Sequence, residues 1–444
     1  NTVSNRLVPM SDKLNENQFL SDIKGFIDRN YLKNRTIVSS DIKLIFDDIE
    51  NTTGMDVIRY RYKTGEEHGT WVVPPKWDIK NAWLKDSSGN IIASYDDHPL
   101  FVSPYSCPVN ITISREELLK HLVTSEEQPN AFAFNWRYAS DARLRLKDWG
   151  LSIPHNTLTK LNDKEYQVFI DVDVEDGEML VGEIVISGES SKSIMFIANY
   201  CHPGQVNDSF SGLAMFMKVM MELSKRSKPK YTYRFIFCQE TIGSAIYIAS
   251  NPNNIKNVQG AIFSEMVGWG ENWYIKKTRT ANTYMDLLAQ ECVRQFPNLA
   301  TSNFYTLIGN DEYIFNSVQV GIPTLSLQKY PFDEYHTSND NPSKICDDDL
   351  SKAIEIILHI VNVNELNKVY KFIHQVPFWM TRFDLYSDDI YEPDEFKKRL
   401  MIVYEHLDGK NSTLEISEKI NETFKYVDDY CQRMEKEQLI IQLD

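Results

Sequence analysis

Five residues in the chain have types and positions suited to metal chemistry: His202, Asp208, Glu240, Glu265 and His336. The first two lie in "FIANYCHPGQVNDSFSG" (196–212), where an apolar run ends in a histidine and small residues lead into a new apolar segment. Imidazole nitrogen and carboxylate oxygen in this mixture suit a zinc-type ion, which holds such ligands at about 2 Å and keeps one position for water. Plainer readings exist for each residue. Asp208 before small residues serves as a helix N-cap. His202-Pro203 reads as a solvated loop, and Glu240 or Glu265 as a surface carboxylate. The metal reading is preferred because the plain ones require five unrelated coincidences along one edge of one sheet.

That edge is read from the apolar runs. "SIMFIANY" (193–200), "YTYRFIFC" (231–238), "VQGAIFSEMVG" (258–268) and "GIPTLSLQ" (321–328) have strand length, and helical segments such as "GLAMFMKVMMELSKR" follow. Strands apolar on both faces and separated by helices predict an α/β domain with a mostly parallel central sheet flanked by helices. In such sheets ligands bind at the carboxyl ends of the strands. His202, Glu240 and Glu265 fall at three such ends, and His336 follows the fourth in "YPFDEYHTSNDNP".

The remaining texture divides the chain. Residues 17–50 are predicted to be helical, with Phe19, Leu20, Ile23 and Phe26 on one face. Residues 56–125 hold short aromatic and β-branched runs broken by Gly, Pro and Ser, which predicts a small inserted β-rich domain. Its Trp71, Trp77 and Trp83 are expected in its core rather than on a sugar-binding surface, and the module is expected to shape the mouth of the site or mediate self-association. Residues 1–55 and 126–375 then form the α/β domain. Residues 376–444 have helix–turn–helix rhythm, with Ser412 or Thr413 as the N-cap.

Charge and cysteine content narrow the function further. The formal charge is −16 over 444 residues, and residues 383–444 carry 8 Lys and Arg against 16 Asp and Glu, a net of −8. A phosphate-binding surface needs the opposite sign, so no nucleic-acid partner is expected, and the C-terminal segment is read as a docking or oligomerisation module. Six scattered cysteines without a CxxC pair predict reduced thiols. No apolar run approaches the roughly 18 residues of a membrane helix, and the first residues lack an apolar signal core. The cytoplasm is the expected location.

The motif order H…ND-x-x-SG…E-x-x-G…E…GIP…YHT-x-x-D resembles zinc aminopeptidases of the leucyl aminopeptidase and glutamate carboxypeptidase type. The full length more closely resembles bacterial aminopeptidase-like proteins of polysaccharide biosynthesis loci, through "GTWVVPPKW", "CHPGQVNDSFSG", "ETIGS" and "YHTSND". That resemblance implies an inserted β domain, a C-terminal winged helix and hydrolysis of a peptide or other amino-acid-bearing substrate. It implies His202, Asp208, Glu265 and His336 as metal ligands and Glu240 as general base. Tyr335 is then a candidate oxyanion donor, Asp340 a partner orienting His336, and Asp311 or Glu312 a holder of the substrate's amine.

Departures accompany the match. The peptidases follow their first histidine with x-Asp, where this chain has Pro203-Gly204. Their paired glutamates are replaced by Gln239-Glu240-Thr241. Counting to Gly243 puts Glu240 in the base position and Thr241 in the ligand position; the other register would make Glu240 the ligand and lose the base to Gln239. The first is preferred because the Glu-x-x-Gly spacing is kept. Either register leaves one site of a metal pair poorer, so one zinc per chain is expected. The alternative is a catalytically impaired binding or scaffold protein.

Overall fold

The computed structural model describes residues 19–135, 147–385 and 393–443. The chain divides into two compact units, a larger one of Met10–Trp273 and Leu307–Ile354 and a smaller one containing Tyr274–Thr306 and Glu355–Asp444.

In the larger unit six strands, β1 (Ile58–Lys63), β2 (Glu178–Ile186), β3 (Ser193–Asn199), β4 (Thr232–Cys238), β5 (Val258–Ser264) and β6 (Thr324–Tyr330), run in the order β1-β2-β4-β3-β5-β6. The four apolar runs become β3 to β6, joined by parallel ladders. Every residue of β3 is buried, as strands covered by helices on both faces require. The sheet as a whole is mixed, because β2 is antiparallel to both β1 and β4. The connection 187–192 is too short to carry a crossover helix, so the chain reverses between β2 and β3.

Helix α1 (Phe210–Ser224) follows β3 and is buried nearly all round, as its composition "FSGLAMFMKVMM" demands. A Cβ on Gly212 would lie 2.0 Å from the Ser264 carbonyl oxygen, so glycine lets this helix approach the end of β5. Helix α2 (Ile242–Ser250) follows β4, and the short α3 (Asp311–Phe315) precedes β6.

The β-rich stretch 56–125 is divided among several sheets. β1 joins the central one, while Ile91–Ser94, Lys76–Lys85 and Val109–Ser114 join the eleven-residue strand Glu165–Glu175 in a separate four-stranded sheet. That sheet packs a core of its own containing Trp77, Leu84, Phe101, Tyr166 and Ile170. Trp77 is buried and donates to the Ser106 carbonyl, and Trp83 stacks on Phe169. The expected helical stretch 17–50 is interrupted: Ser21–Asn30 and Asp41–Thr53 are helices, and the loop between them carries Arg35.

The smaller unit pairs Asp408–Ser412, Val369–Phe372 and Ile440–Leu443 in an antiparallel sheet, with helices at Thr413–Ile420 and Phe424–Lys436. Ser412 caps the first of these, in a reciprocal capping box with Glu415. Among the described residues no helix is long and apolar enough to cross a membrane.

Candidate metal centre

β3 ends in Asn199, and the chain turns at His202, whose backbone sits at φ +70. Thr241 after β4 (φ +57), Met266 after β5 (φ +53) and His336 in the loop after β6 (φ +57) share that left-handed conformation. Non-glycine residues rarely adopt it, least of all β-branched ones such as threonine. Sharp turns therefore follow four strands at one edge of the sheet.

The structure brings His202, Asp208 and His336 together, with ligand-type atoms all within 4.8 Å of one another. His336 Nε2 is 3.0 Å from Asp208 Oδ2. His202 Nε2 is 3.1 Å from Glu240 Oε2, so the expected base adjoins the group. Glu265 lies outside that close group. It is buried, and Asn310 donates to its Oε2 at 3.0 Å, while its Oε1 is buried without a partner. Burial, then the carboxylates of Asp208, Glu240 and Glu312, raise Glu265 well above the usual range. Burial also disfavours charge on Asp208, yet His202 and His336 outweigh it and hold this carboxylate below its ordinary value. For His202 burial opposes protonation and Asp208, Cys201 and Glu240 overcome it, raising its pKa. An excess of buried carboxylate, with one orphaned oxygen, is what a dication would relieve. Two imidazoles and a carboxylate within 4.8 Å fit a zinc-type ion.

The loops carrying these residues are held by groups that the sequence reading assigned otherwise or overlooked. Asp340 does not orient His336. Its Oδ1 accepts from the Val206 and Asn207 backbone N–H groups at 3.0 and 2.6 Å, and its Oδ2 from Asp208 N–H at 3.1 Å. It thereby fixes the bend carrying Asp208. Asp311 is equally committed. Buried at the base of α3, it accepts from Asn199 Nδ2, Thr241 N–H and Ser244 Oγ, so it clamps the Glu240–Thr241 turn rather than awaiting a substrate amine. Burial pushes Asp311 and Asp340 each up to about 7. Glu312 is buried and accepts from Asn310 N–H.

Arg35 was missed altogether. Its fully buried guanidinium donates to the carbonyls of Tyr31, Tyr200, Cys201, His202 and Gln205, at 2.5–3.3 Å, and lies 3.6 Å over the Phe210 ring. Burial pulls its pKa down to about 9 against the attraction of Cys201, Asp340 and Asp208. Nothing local marks an arginine in a polar loop as buried, since most are exposed. Phe134 was also missed; its N–H donates to the His336 carbonyl, and its ring lies 5.0 and 5.5 Å from those of His336 and His202. Tyr335 stacks on His336, and burial beside Asp208, Glu265 and Glu240 keeps its phenol protonated.

A cavity of about 510 Å3 opens on the Glu240 side of the group. Cys201, His202, Glu240 and Thr241 line it, facing apolar walls that include Trp71, Val72 and Phe134. Trp71 and Val72 come from the small hairpin paired with Glu67–His68.

Over 437 residues the chain is 29% identical to a Clostridium acetobutylicum protein provisionally named a polysaccharide biosynthesis protein with an aminopeptidase-like domain, covering 96% of this chain and 98% of that one. A crystal structure from Clostridium acetobutylicum, provisionally named a peptidase, is 27% identical with a TM-score of 0.84, covering 97% and 98% of the two chains. A zinc aminopeptidase from Bacillus subtilis shares the fold at 13% identity, with a TM-score of 0.55 over 79% of this chain and 94% of that one. Residues 25–367, most of the chain and all of the residues gathered at the sheet edge, match one family, and the chain therefore belongs to the family described as a domain of unknown function, DUF4910.

Proposed function

We propose that the chain is a metal-dependent amide hydrolase of aminopeptidase type, acting on a small peptide or another amino-acid-bearing substrate. The observation that carries this reading is the convergence of His202, Asp208 and His336 within 4.8 Å, with Glu240 3.1 Å from His202 at the floor of a cavity. In this reading His202, Asp208 and His336 hold one zinc-type ion, and Glu265 supplies the remaining carboxylate. When bound, such an ion polarises a carbonyl and acidifies water. Glu240 accepts the proton of the attacking water and returns it to the leaving nitrogen as the C–N bond breaks. Tyr335, kept protonated, is a donor for the developing oxyanion, and the apolar walls hold the substrate and exclude water. The acidic C-terminal segment serves docking or self-association, with no nucleic acid.

Glu240→Gln should keep the metal and lose about 10²–10⁴-fold in hydrolysis, the usual contribution of a positioned base. Retained hydrolysis removes Glu240 from the chemistry. A second reading, a peptidase-shaped binding protein in polysaccharide assembly, is favoured by one observation: Thr241, not a glutamate, occupies the turn beside Glu240. Zinc-loaded wild type that hydrolyses no aminoacyl or acetamido substrate would select that reading.

A further inference from the structure

His202 belongs to two side-chain groups. Besides the one with Asp208 and His336, ligand-type atoms of Cys201, His202 and Glu240 lie within 4.8 Å of one another. Cys201 Sγ is 3.5 Å from His202 Nδ1, and the Glu240 backbone N–H donates to the same sulfur at 3.2 Å. On the other side of the imidazole, Nε2 is 3.1 Å from Glu240 Oε2. The Cys201 thiol is buried and forms no disulfide. All three residues line the 510 Å3 cavity, whose wall includes the exposed Val72, so a small cation has a path to them.

The two groups differ in chemistry. Asp208 and His336 offer oxygen and nitrogen, whereas Cys201 adds sulfur, a ligand that selects soft or borderline ions such as cadmium and zinc over magnesium and calcium. We propose that Cys201, His202 and Glu240 form a second, sulfur-containing site for a soft divalent cation, and that filling it inhibits hydrolysis by withdrawing Glu240. On binding, the thiol S–H releases its proton to solvent as the sulfur–metal bond forms. Inhibition rests on Glu240 being the base; the site itself does not.

The test titrates chelator-stripped, full-length protein with cadmium, following the thiolate-to-cadmium charge-transfer band in the ultraviolet and the cadmium bound per chain. The band is expected in wild type and in Asp208→Asn. It is expected to vanish in Cys201→Ser, which still binds cadmium through the other group and keeps the wild-type unfolding midpoint. Glu240→Gln should need at least about tenfold more cadmium to develop the band, as for loss of a charged ligand worth about 1.4 kcal/mol or more. No band in wild type, an undiminished band in Cys201→Ser, or an unchanged titration of Glu240→Gln would each overturn the site. Excess zinc should inhibit wild type and spare Cys201→Ser. A cadmium band with no hydrolysis under any metal loading supports the site and instead defeats the hydrolase reading.

Discussion

Replacing Arg35 by methionine should loosen the turn that carries His202 while leaving the candidate ligand side chains themselves unchanged. Methionine keeps most of the aliphatic stem, removes the guanidinium that lies over Phe210 and donates nothing. Four carbonyls of the turn, those of Tyr200, Cys201, His202 and Gln205, then lose this donor, and only that of His202 keeps another, the Gln205 N–H at 3.3 Å. Each of the three carbonyls left buried and unsatisfied costs about 1–3 kcal/mol, or about 3–9 kcal/mol together. Against this, the variant no longer buries a cation. The fall of the Arg35 pKa from 12.5 to about 9, chiefly through burial, corresponds to roughly 5 kcal/mol at ~1.4 kcal/mol per pH unit. From the middle of the first range, the net loss is about 1 kcal/mol. Denaturant unfolding of the metal-free protein, followed by tryptophan fluorescence, measures it. Zinc affinity, read by chelator competition, should also fall by about 10–100-fold, as when partners that orient metal ligands are removed. A variant within about 0.5 kcal/mol of wild type and with unchanged zinc affinity would refute the reasoning, because a surface substitution does no more than that.

Other positions give independent tests. Burial holds Asp311 at about 7, above its ordinary 3.8. The native state therefore binds this proton more tightly, and the group's contribution is whole below about pH 4 and lost as pH rises through about 7, a change of roughly 4 kcal/mol. Asp311→Asn should flatten stability over that window, with the unpartnered Asn199 Oδ1 free to accept from the new amide after a side-chain flip; an unchanged pH profile refutes this. Gly212→Ala should lose about 1–3 kcal/mol, because its Cβ would fall 2.0 Å from the Ser264 carbonyl. An unfolding midpoint equal to wild type would show that α1 can shift away. Trp71→Ala should raise KM by roughly tenfold to a hundredfold while kcat stays near wild type, as for loss of about 1.5–3 kcal/mol of apolar contact. A fall confined to kcat would mean that Trp71 acts on the chemistry and not on binding.

The strands that position the site were legible because burial on both faces leaves an uninterrupted apolar run, as in "SIMFIAN". His202, Glu240 and Glu265 were picked as candidates by reading where such runs stop. Partners distant in sequence were not legible. Glu165–Glu175 pairs with Lys76–Lys85 across about eighty intervening residues, and no local pattern reports that register. Asp340 was given to His336 because the two are near in sequence, but the backbone it serves lies 132–134 residues away. Asp311 or Glu312 was read as holding a substrate's amine because residues 309–315 fall at the same sheet edge; the burial of Asp311 among Asn199, Thr241 and Ser244 commits it to protein groups instead. Arg35 combines both difficulties, a polar residue buried by a turn 165 residues downstream.

The three buried clamps also bear on how the protein matures. Arg35 grips residues 200–205, Asp340 grips 206–208 and Asp311 grips the Glu240–Thr241 turn, all through protein groups alone. In small zinc domains the ion builds the fold and chelation dissolves it. Here protein groups hold the bends that carry the candidate ligands, so on the proposed metal reading loading is a late and reversible step that follows folding. On that same reading, a cell starved of zinc would accumulate an intact, dormant chain, with no unfolded one for proteases to clear.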